Sequence, residues 1–310
     1  MQAVDAIIRS SLHSEVGLIN TIGEHITSNS GKRLRPALVL LSSGLFGPIG
    51  ERQHKLAAII EFIHTATLLH DDVVDESEMR RGKSTANHIF GNAASVLVGD
   101  FLYSRAFQMM VTLQNRRVME ILSEATNTIA EGEVLQLLNL HNANVTEQEY
   151  LRVIHYKTAK LFEAAARLGA VISDNNDPAE EEALALYGMH LGTAFQLVDD
   201  VLDINGDTEE IGKNLGDDLA EGKPTLPLLY AMHQSDTAKA QLIRKAIEHG
   251  ALEDLPAVLA AVSATSASDY VLDLARNEST NACAAIAHFA NSNYKAALIQ
   301  LAEFAVVRHY

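Results

Sequence analysis

The segment His70-Asp71-Asp72-Val73-Val74-Asp75-Glu76-Ser77-Glu78-Met79-Arg80-Arg81-Gly82 closes an apolar run, 56–69, that contains neither Gly nor Pro and is rich in good helix formers. If that helix continues through Asp75, then Asp71 and Asp75 stand one turn apart on one face, with Asp72 beside them. Like charges at that spacing repel unless something positive sits between them. Hard carboxylate oxygens on a rigid scaffold suit Mg²⁺, which binds one or two carboxylates together with substrate phosphates. Arg80 and Arg81 follow directly, and a guanidinium is suited to bidentate phosphate contact. Taken alone, the cluster also fits a solvated acidic helix end. A second copy weighs against that alternative. Phe195-Gln196-Leu197-Val198-Asp199-Asp200-Val201-Leu202-Asp203 repeats the pattern 128 positions later, again at the end of an apolar helical run. Two such clusters can face each other across one cavity, with metals and a diphosphate between them.

Composition narrows the rest. With 310 residues, 47% of them hydrophobic, the chain can bury a large core. Six prolines, no Trp and abundant Ala and Leu favour helices throughout. The formal net charge of −16 leaves no basic stripe and argues against nucleic-acid binding and against a strong electrostatic hold on anionic lipid. A single cysteine, Cys283, rules out an internal disulfide framework and fits a reducing cytoplasm. No signal peptide is visible, and no uninterrupted apolar run reaches the roughly 20 residues of a membrane span.

Along the chain, the N-terminus opens in a helical pattern marked by Ile7, Ile8, Leu12, Val16 and Ile19. A Gly-opened basic loop, Ser30-Gly31-Lys32-Arg33-Leu34-Arg35-Pro36, feeds an apolar helix over 37–45. The central helix over 56–75 follows, then a polar loop through Arg80, Arg81, Gly82 and Lys83. Helical patterns cover 93–110 and 117–140. Thr146 with Glu149 resembles a capping box, opening a helix through Leu168. Asp177-Pro178 starts another that runs through Leu191, with a further helix reaching Asp203. The segment 205–225 is glycine-rich and charged, with no apolar stripe, and reads as an active-site flap. Helices resume over 226–233, 238–249 and the Ala-rich remainder. No strand alternation is long enough to build a sheet, so the expectation is one all-α domain.

Both aspartate clusters, together with Gly31-Lys32-Arg33-Leu34-Arg35-Pro36, Arg80-Arg81-Gly82, Lys157-Thr158, Gly216-Asp217-Asp218 and Glu221-Gly222-Lys223-Pro224-Thr225, resemble the trans-type polyprenyl diphosphate synthases. The match covers about 31–227, with every principal motif intact. It implies a single-domain helical bundle of the isoprenoid (terpenoid) synthase type over 1–310, built around a central cavity, with the flap near 205–225. It also implies a prenyltransferase that adds isopentenyl diphosphate repeatedly to an allylic diphosphate, farnesyl diphosphate for preference. By this resemblance Asp71, Asp72, Asp75, Arg80, Lys157, Asp199 and Lys213 are catalytic. Asp71, Asp72, Asp75, Asp199, Asp200 and Asp203 hold the metal. The isopentenyl diphosphate lies on Lys32, Arg35, His64 and Arg81. The allylic diphosphate lies on Arg80, Lys157, Thr158, Gln196, Lys213 and Lys223.

Charge supports the metal. Six aspartates bring about −6 and a diphosphate about −3, so the assembly needs cations; three Mg²⁺ bring about +6 and the nearby Lys and Arg the remainder. Individually each basic residue has a plainer reading. Lys32 and Arg33 fit solvated loop charges, His64 fits a satisfied core position, and Lys157 and Lys160 fit an exposed helix face. Their joint occurrence in family order favours the site. The resemblance further implies a homodimer, a cytoplasmic setting and a transient membrane contact on product release. Two rivals remain: a class I terpene cyclase, against which the second cluster and the Lys32, Arg35 and Arg81 set argue, and a catalytically silent partner subunit, which typically lacks one cluster.

Product length should follow from what plugs the space beneath the first cluster. Helical spacing puts Thr67 one turn below Asp71, with Ala66 beside it. In short-chain relatives these positions hold bulky aromatics; here both are small. Each isoprene unit takes roughly 4–5 Å, close to the 5.4 Å of one helical turn, so the floor should lie turns lower. Met109 and Met110 are candidates for that floor and equally for ordinary core. Similarity around 61–99 and 130–136 points to bacterial octaprenyl diphosphate synthases, which make the C40 side chain of ubiquinone or menaquinone. Medium-chain and solanesyl synthases are the alternatives.

Overall fold

The computed structural model describes residues 1–28, 31–80, 82–174, 177–205, 216–250 and 254–307. Its residues group into two compact units: Met1–Thr126 with Leu161–Gly188 and Ile286–Leu298, and Asn127–Lys160 with Met189–Ala285 and Ile299–Tyr310.

The first unit opens with α1 (Gln2–Leu12), α2 (Gly17–Ser28) and α3 (Leu34–Gly44), followed by the long α4 (Glu51–Val74). A short hairpin, β1 (Met79–Arg80) with β2 (Lys83–Ser84), leads to α5 (Ala86–Phe90) and α6 (Asn92–Thr112). α4 is the spine of this unit. Its Leu56, Ile59, Ile60 and Ile63 are fully buried, and it packs on α1, α3 and α6. Burying each such side chain is worth about 1.5–3 kcal/mol, which explains why a helix with so little amphipathic contrast is stable: it is enclosed rather than half-exposed.

α7 (Arg116–Asn139) begins in the first unit and ends in the second, where α8 (Glu147–Ile154) follows. A π-helical turn, His155–Ala159, separates α8 from α9 (Lys160–Ile172), and α10 (Pro178–Asn205) comes next. The second unit continues with α11 (Asp217–Ala220), α12 (Leu226–Gln234), α13 (Thr237–His249), α14 (Leu255–Ser263) and α15 (Ala267–Ala285); α16 (Asn293–Val307) closes the chain. Its core gathers Val198, Val201 and Ile204 of α10 with Leu228, Ile243, Ile247, Val258 and Val271.

The capping signals act as their chemistry predicts. The Thr146 amide donates to Glu149 Oε2 at 2.8 Å, and the Glu149 amide donates back to Thr146 Oγ1 at 3.3 Å. Asp177 Oδ1 accepts the Ala179 amide at 2.9 Å at the start of α10.

Local structure departs from the sequence reading in four places. The two helices expected over 178–203 are one helix of 28 residues. Gly188 within it costs helix propensity, but a Cβ there would lie 2.4 Å from the Phe162 carbonyl oxygen, so close packing on α9 requires the glycine. The helix expected over 146–168 carries the π-turn instead of running on regularly. The polar loop at 80–83 is a two-stranded hairpin pairing Arg80 with Lys83, with Gly82 at φ 71°. Within the expected flap, 206–215 lie outside the described residues, while 216–222 form α11 and its caps. No single described helix is long and apolar enough to cross a membrane.

Candidate active site

In the first unit the aspartate cluster sits at the very end of α4. Asp75 is its C-cap, and the Asp75 amide donates to the Asp71 carbonyl at 2.8 Å. The Glu76 amide donates to Val73 O at 3.4 Å, and the Ser77 amide to Asp72 O at 3.0 Å. This is a Schellman stop, with Glu76 rather than glycine in the left-handed conformation at φ 51°. Such a residue costs on the order of 1 kcal/mol, and side chains from later in the chain help hold it there. Asn87 Nδ2 donates to Asp72 O at 2.9 Å and to Ser77 O at 3.1 Å, and Ser95 Oγ donates to Leu69 O at 3.0 Å. The last carbonyls of α4 are thereby satisfied.

The three carboxylates do not share one environment. Asp71 and Asp75 are half-buried, whereas Asp72 is buried. Its Oδ1 accepts Arg80 Nε at 2.7 Å and lies 2.7 Å from the second guanidinium nitrogen. Burial works against the Arg80 charge, but Asp72 beside it, with Asp71 and Asp75, more than compensates and holds its pKa above the ordinary value. Within one motif the carboxylates therefore meet different partners. Asp72 is buried and orients Arg80, while Asp71 and Asp75, the i, i+4 pair, are only half-buried.

The basic residues of the first unit come together as well. Arg35 on the first turn of α3 donates to His64 Nε2 at 3.1 Å, and its guanidinium lies 4.3 Å over the Phe162 ring. Since arginine only donates, His64 accepts on Nε2, which leaves Nδ1 to carry the proton of a neutral ring. Lys32, just before α3, is exposed. Arg33, the left-handed N-cap of α3, donates to the buried Glu61 at 2.6 Å and fastens this basic segment to α4. Arg81 lies outside the described residues. Ala66 and Met110 are fully buried, and Thr67 is half-buried with its hydroxyl bonded to His64 O at 2.8 Å.

The second unit repeats the theme with other partners. Asp199 and Asp203 are half-buried on α10, while Asp200 is buried. Asp200 Oδ2 accepts the Tyr150 hydroxyl at 2.5 Å, and Oδ1 accepts Gln196 Nε2 at 2.8 Å. Gln196 Oε1 in turn accepts Thr158 Oγ1 at 3.1 Å. Neither direct donor to Asp200 is a cation. Burial, with the Asp218 charge next in weight, pushes its carboxyl up to about 7.

Lys157, on the π-turn, pairs with Glu133 at 2.6 Å. The backbones approach closely here, for a Cβ on Gly132 would lie 2.6 Å from the Lys157 amide nitrogen. π-turns inserted into α-helices often mark functional sites, because the extra residue re-aims a side chain. Lys223 pairs with Glu221 and lies 3.7 Å from Asp218. Its loop is anchored where the His141 amide donates to Gly222 O at 2.8 Å. Gly222 itself stands at φ 74° against the His141 ring. Lys213 lies outside the described residues.

Each unit by itself thus carries an oxygen-only acidic cluster near a helix end with guanidinium or ammonium groups in the same unit, a donor set that suits phosphate oxygens and hard divalent cations. The sequence profile of the polyprenyl synthetase family matches residues 16–263. The chain belongs to the polyprenyl synthetase family. It is 53% identical over 309 residues to the octaprenyl diphosphate synthase of Escherichia coli (strain K12), with 99% of this chain and 95% of that one covered. The all-trans-nonaprenyl-diphosphate synthase (geranyl-diphosphate specific) of Rhodobacter capsulatus is 43% identical over 307 residues, covering 99% and 94%. A crystal structure of a polyprenyl synthase from Caulobacter crescentus CB15, complexed with calcium and isoprenyl diphosphate, superposes with a TM-score of 0.96 at 46% identity, covering 100% and 95%.

Polyprenyl synthetases are generally Mg²⁺-dependent, and the donor set here fits that class of ion: carboxylate oxygens, two of each cluster not turned inward. Among the described residues no three potential ligands already converge on one metal position. Sequence reasoning missed Tyr150, Glu133 and the clamp made by Arg33 and Glu61. Arg33 and Glu133 lie in stretches the sequence singles out, but their partners, Glu61 and Lys157, are far along the chain, as Asp200 is from Tyr150.

Proposed function

We propose that this trans-polyprenyl diphosphate synthase extends an allylic diphosphate, with farnesyl diphosphate as primer, by repeated addition of isopentenyl diphosphate to give octaprenyl diphosphate (C40) for a quinone side chain. The observation that carries the reading is the pair of aspartate clusters at helix ends in a chain 53% identical to an octaprenyl diphosphate synthase.

In this reading Asp71 and Asp75, with Asp199 and Asp203, hold three Mg²⁺ ions when substrate is bound. Magnesium supplies Lewis-acid stabilisation of the departing diphosphate. Arg80, Lys157, Thr158, Gln196 and Lys223, joined by Lys213, bind the allylic diphosphate oxygens and stabilise the charge that develops on them. Asp72 orients Arg80, and Asp200 holds Gln196. Lys32, Arg35, His64 and Arg81 take the isopentenyl diphosphate. The allylic C–O bond breaks with its electron pair on the diphosphate, and the isopentenyl double bond attacks the cation left behind. Loss of a proton restores a double bond and leaves an allylic diphosphate one unit longer.

Small side chains at Ala66 and Thr67 let the tail pass beneath the first cluster, and Met110 belongs to the floor. A homodimer is supported by an exposed apolar stripe on α6, Leu97, Phe107 and Val111, because so much exposed apolar surface on one helix favours a partner. A cytoplasmic setting and a brief membrane contact for product release complete the proposal.

Purified enzyme with isopentenyl and farnesyl diphosphates and Mg²⁺ should yield octaprenyl product by chromatography, and none after chelation. Ala66→Phe or Thr67→Phe should shorten it to about C15–C20, because an aromatic ring fills roughly one helical turn of depth. Unchanged length in both variants would refute the pocket, cyclised hydrocarbon would indicate a terpene cyclase, and inertness a silent subunit.

A further inference from the structure

Tyr150 takes no part in the mechanism above, yet it stands where three segments of the second unit meet. It lies in the interior on α8, and its hydroxyl reaches Asp200 Oδ2 of α10 at 2.5 Å. The backbone amide of Leu226, the first residue of α12, faces the same hydroxyl and favours its ionised form, against the larger effect of burial. From Asp200 the chain of bonds continues to Gln196 at 2.8 Å, and from Gln196 to Thr158 at 3.1 Å. Gln196 and Asp200 are one turn apart on α10. Tyr150 lies on α8, just before the π-turn, and Thr158 lies within that turn beside Lys157.

The segment from α8 through the π-turn is thus tied to α10 at both ends. A π-turn is a local irregularity that a sliding or re-registering helix could lose, and two fixed points prevent that. Lys223, three residues before Leu226, hangs from the same junction. Each residue assigned above to the allylic diphosphate in this unit, among those described, belongs to a segment that Tyr150 joins.

We propose that Tyr150 is a positioning residue for the reaction. Through Asp200, Gln196 and Leu226 it sets Lys157, Thr158 and Lys223 against Asp199 and Asp203, and so fixes where the allylic diphosphate and its metals sit. The assignment rests on the function proposed above and adds to it a residue that touches neither substrate nor metal. It also gives the buried Asp200 a purpose other than ligation: it is the node that Tyr150 and Gln196 share. The high cost of leaving a buried carboxyl without its donors makes this node sensitive to loss of one hydroxyl.

Tyr150→Phe keeps the ring in the core and removes only the hydroxyl. Steady-state kinetics on the full chain should show kcat/KM for farnesyl diphosphate down about 10–100-fold, the range typical when a group supporting metal ligands is lost. Half-saturation by Mg²⁺ should rise with it, while KM for isopentenyl diphosphate stays within about twofold, since its proposed site lies on α3, α4 and the hairpin. Asp200→Asn, which keeps an acceptor for Tyr150 and can keep a bond to Gln196, should fall between wild type and Tyr150→Phe. Calorimetric binding of the unreactive farnesyl thiolodiphosphate with Mg²⁺ should weaken in the same order. A lower melting temperature with unchanged kinetic constants would overturn the proposal, as would an equal rise in KM for both substrates. Should Tyr150→Phe not fold, Asp200→Asn decides alone, and wild-type constants in it would overturn the proposal. Wild type without any elongation activity would instead refute the function on which this rests.

Discussion

The first aspartate cluster keeps its middle carboxylate beside a cation, whereas the second keeps the equivalent group beside a phenol and an amide. Asp72 meets the Arg80 guanidinium at 2.7 Å, and Asp200 meets Tyr150 and Gln196 at 2.5 and 2.8 Å. The two motifs share Asp-Asp-x-x-Asp, a helix end and an inward-turned second aspartate, yet their electrostatics are opposite. At Asp72 the charges cancel within one pair. At Asp200 the hydrogen bonds favour the charged form but do not offset burial and the Asp218 charge, so the carboxyl is pushed up to about 7. Spacing places carboxylates on a helix face, while the partner that meets the inward one decides its charge.

The outer carboxylates are where the two clusters should behave alike. Asp71→Ala and Asp199→Ala should each lower kcat by about 10³-fold, as expected when stabilisation of developing charge is lost, with KM for isopentenyl diphosphate changing by less than about threefold. A large loss from one and a small loss from the other in single-turnover assays would show that only one cluster carries the chemistry.

The middle carboxylates are where they should part. Arg80→Met leaves Asp72 buried without its cation and should cost about 3–5 kcal/mol in urea unfolding, the usual cost of breaking a buried ion pair from one side. Asp200→Asn removes a charge that burial disfavours, so at pH 8 its unfolding free energy should be no lower than that of wild type. Equal costs would mean that the two environments are electrostatically the same.

The two middle carboxylates also part in their pH dependence. The Asp200 pKa is raised on folding from 3.8 to about 7, so the folded state binds the proton more tightly than the unfolded chain. Its contribution to stability is fully present below 3.8 and is lost as pH rises through about 7. Thermal unfolding of the metal-free protein between pH 4 and 8 should show that slope in wild type and a flatter one in Asp200→Asn. An identical slope in the two would place the raised carboxyl elsewhere.

Much of this architecture is legible in the residues themselves. The apolar run ending in Asp71 predicts a helix end, Thr146 and Glu149 predict a cap, and Asp177-Pro178 predicts a start. Each is a local signal, read from spacing or from a side chain that bonds its own turn. The misses are equally physical. Glu76 stops α4 in a left-handed conformation that a sequence offers through glycine, and only Asn87 and Thr85, bonded around Ser77 O at 3.1 and 2.7 Å, make a glutamate acceptable there. The π-turn has no composition of its own. α10 continues through Gly188 because α9 needs the space, a reason that lies outside the helix.

By itself the sequence determined that the protein is helical and where two acidic helix ends lie, because periodicity, caps and charge spacing act within a few residues of one another. The tertiary structure alone decided which carboxylates turn inward and what meets them. Arg80 comes from the hairpin after α4, Tyr150 from a helix 50 positions before Asp200. Burial penalises a charge according to its surroundings, and those surroundings exist only once distant segments have packed.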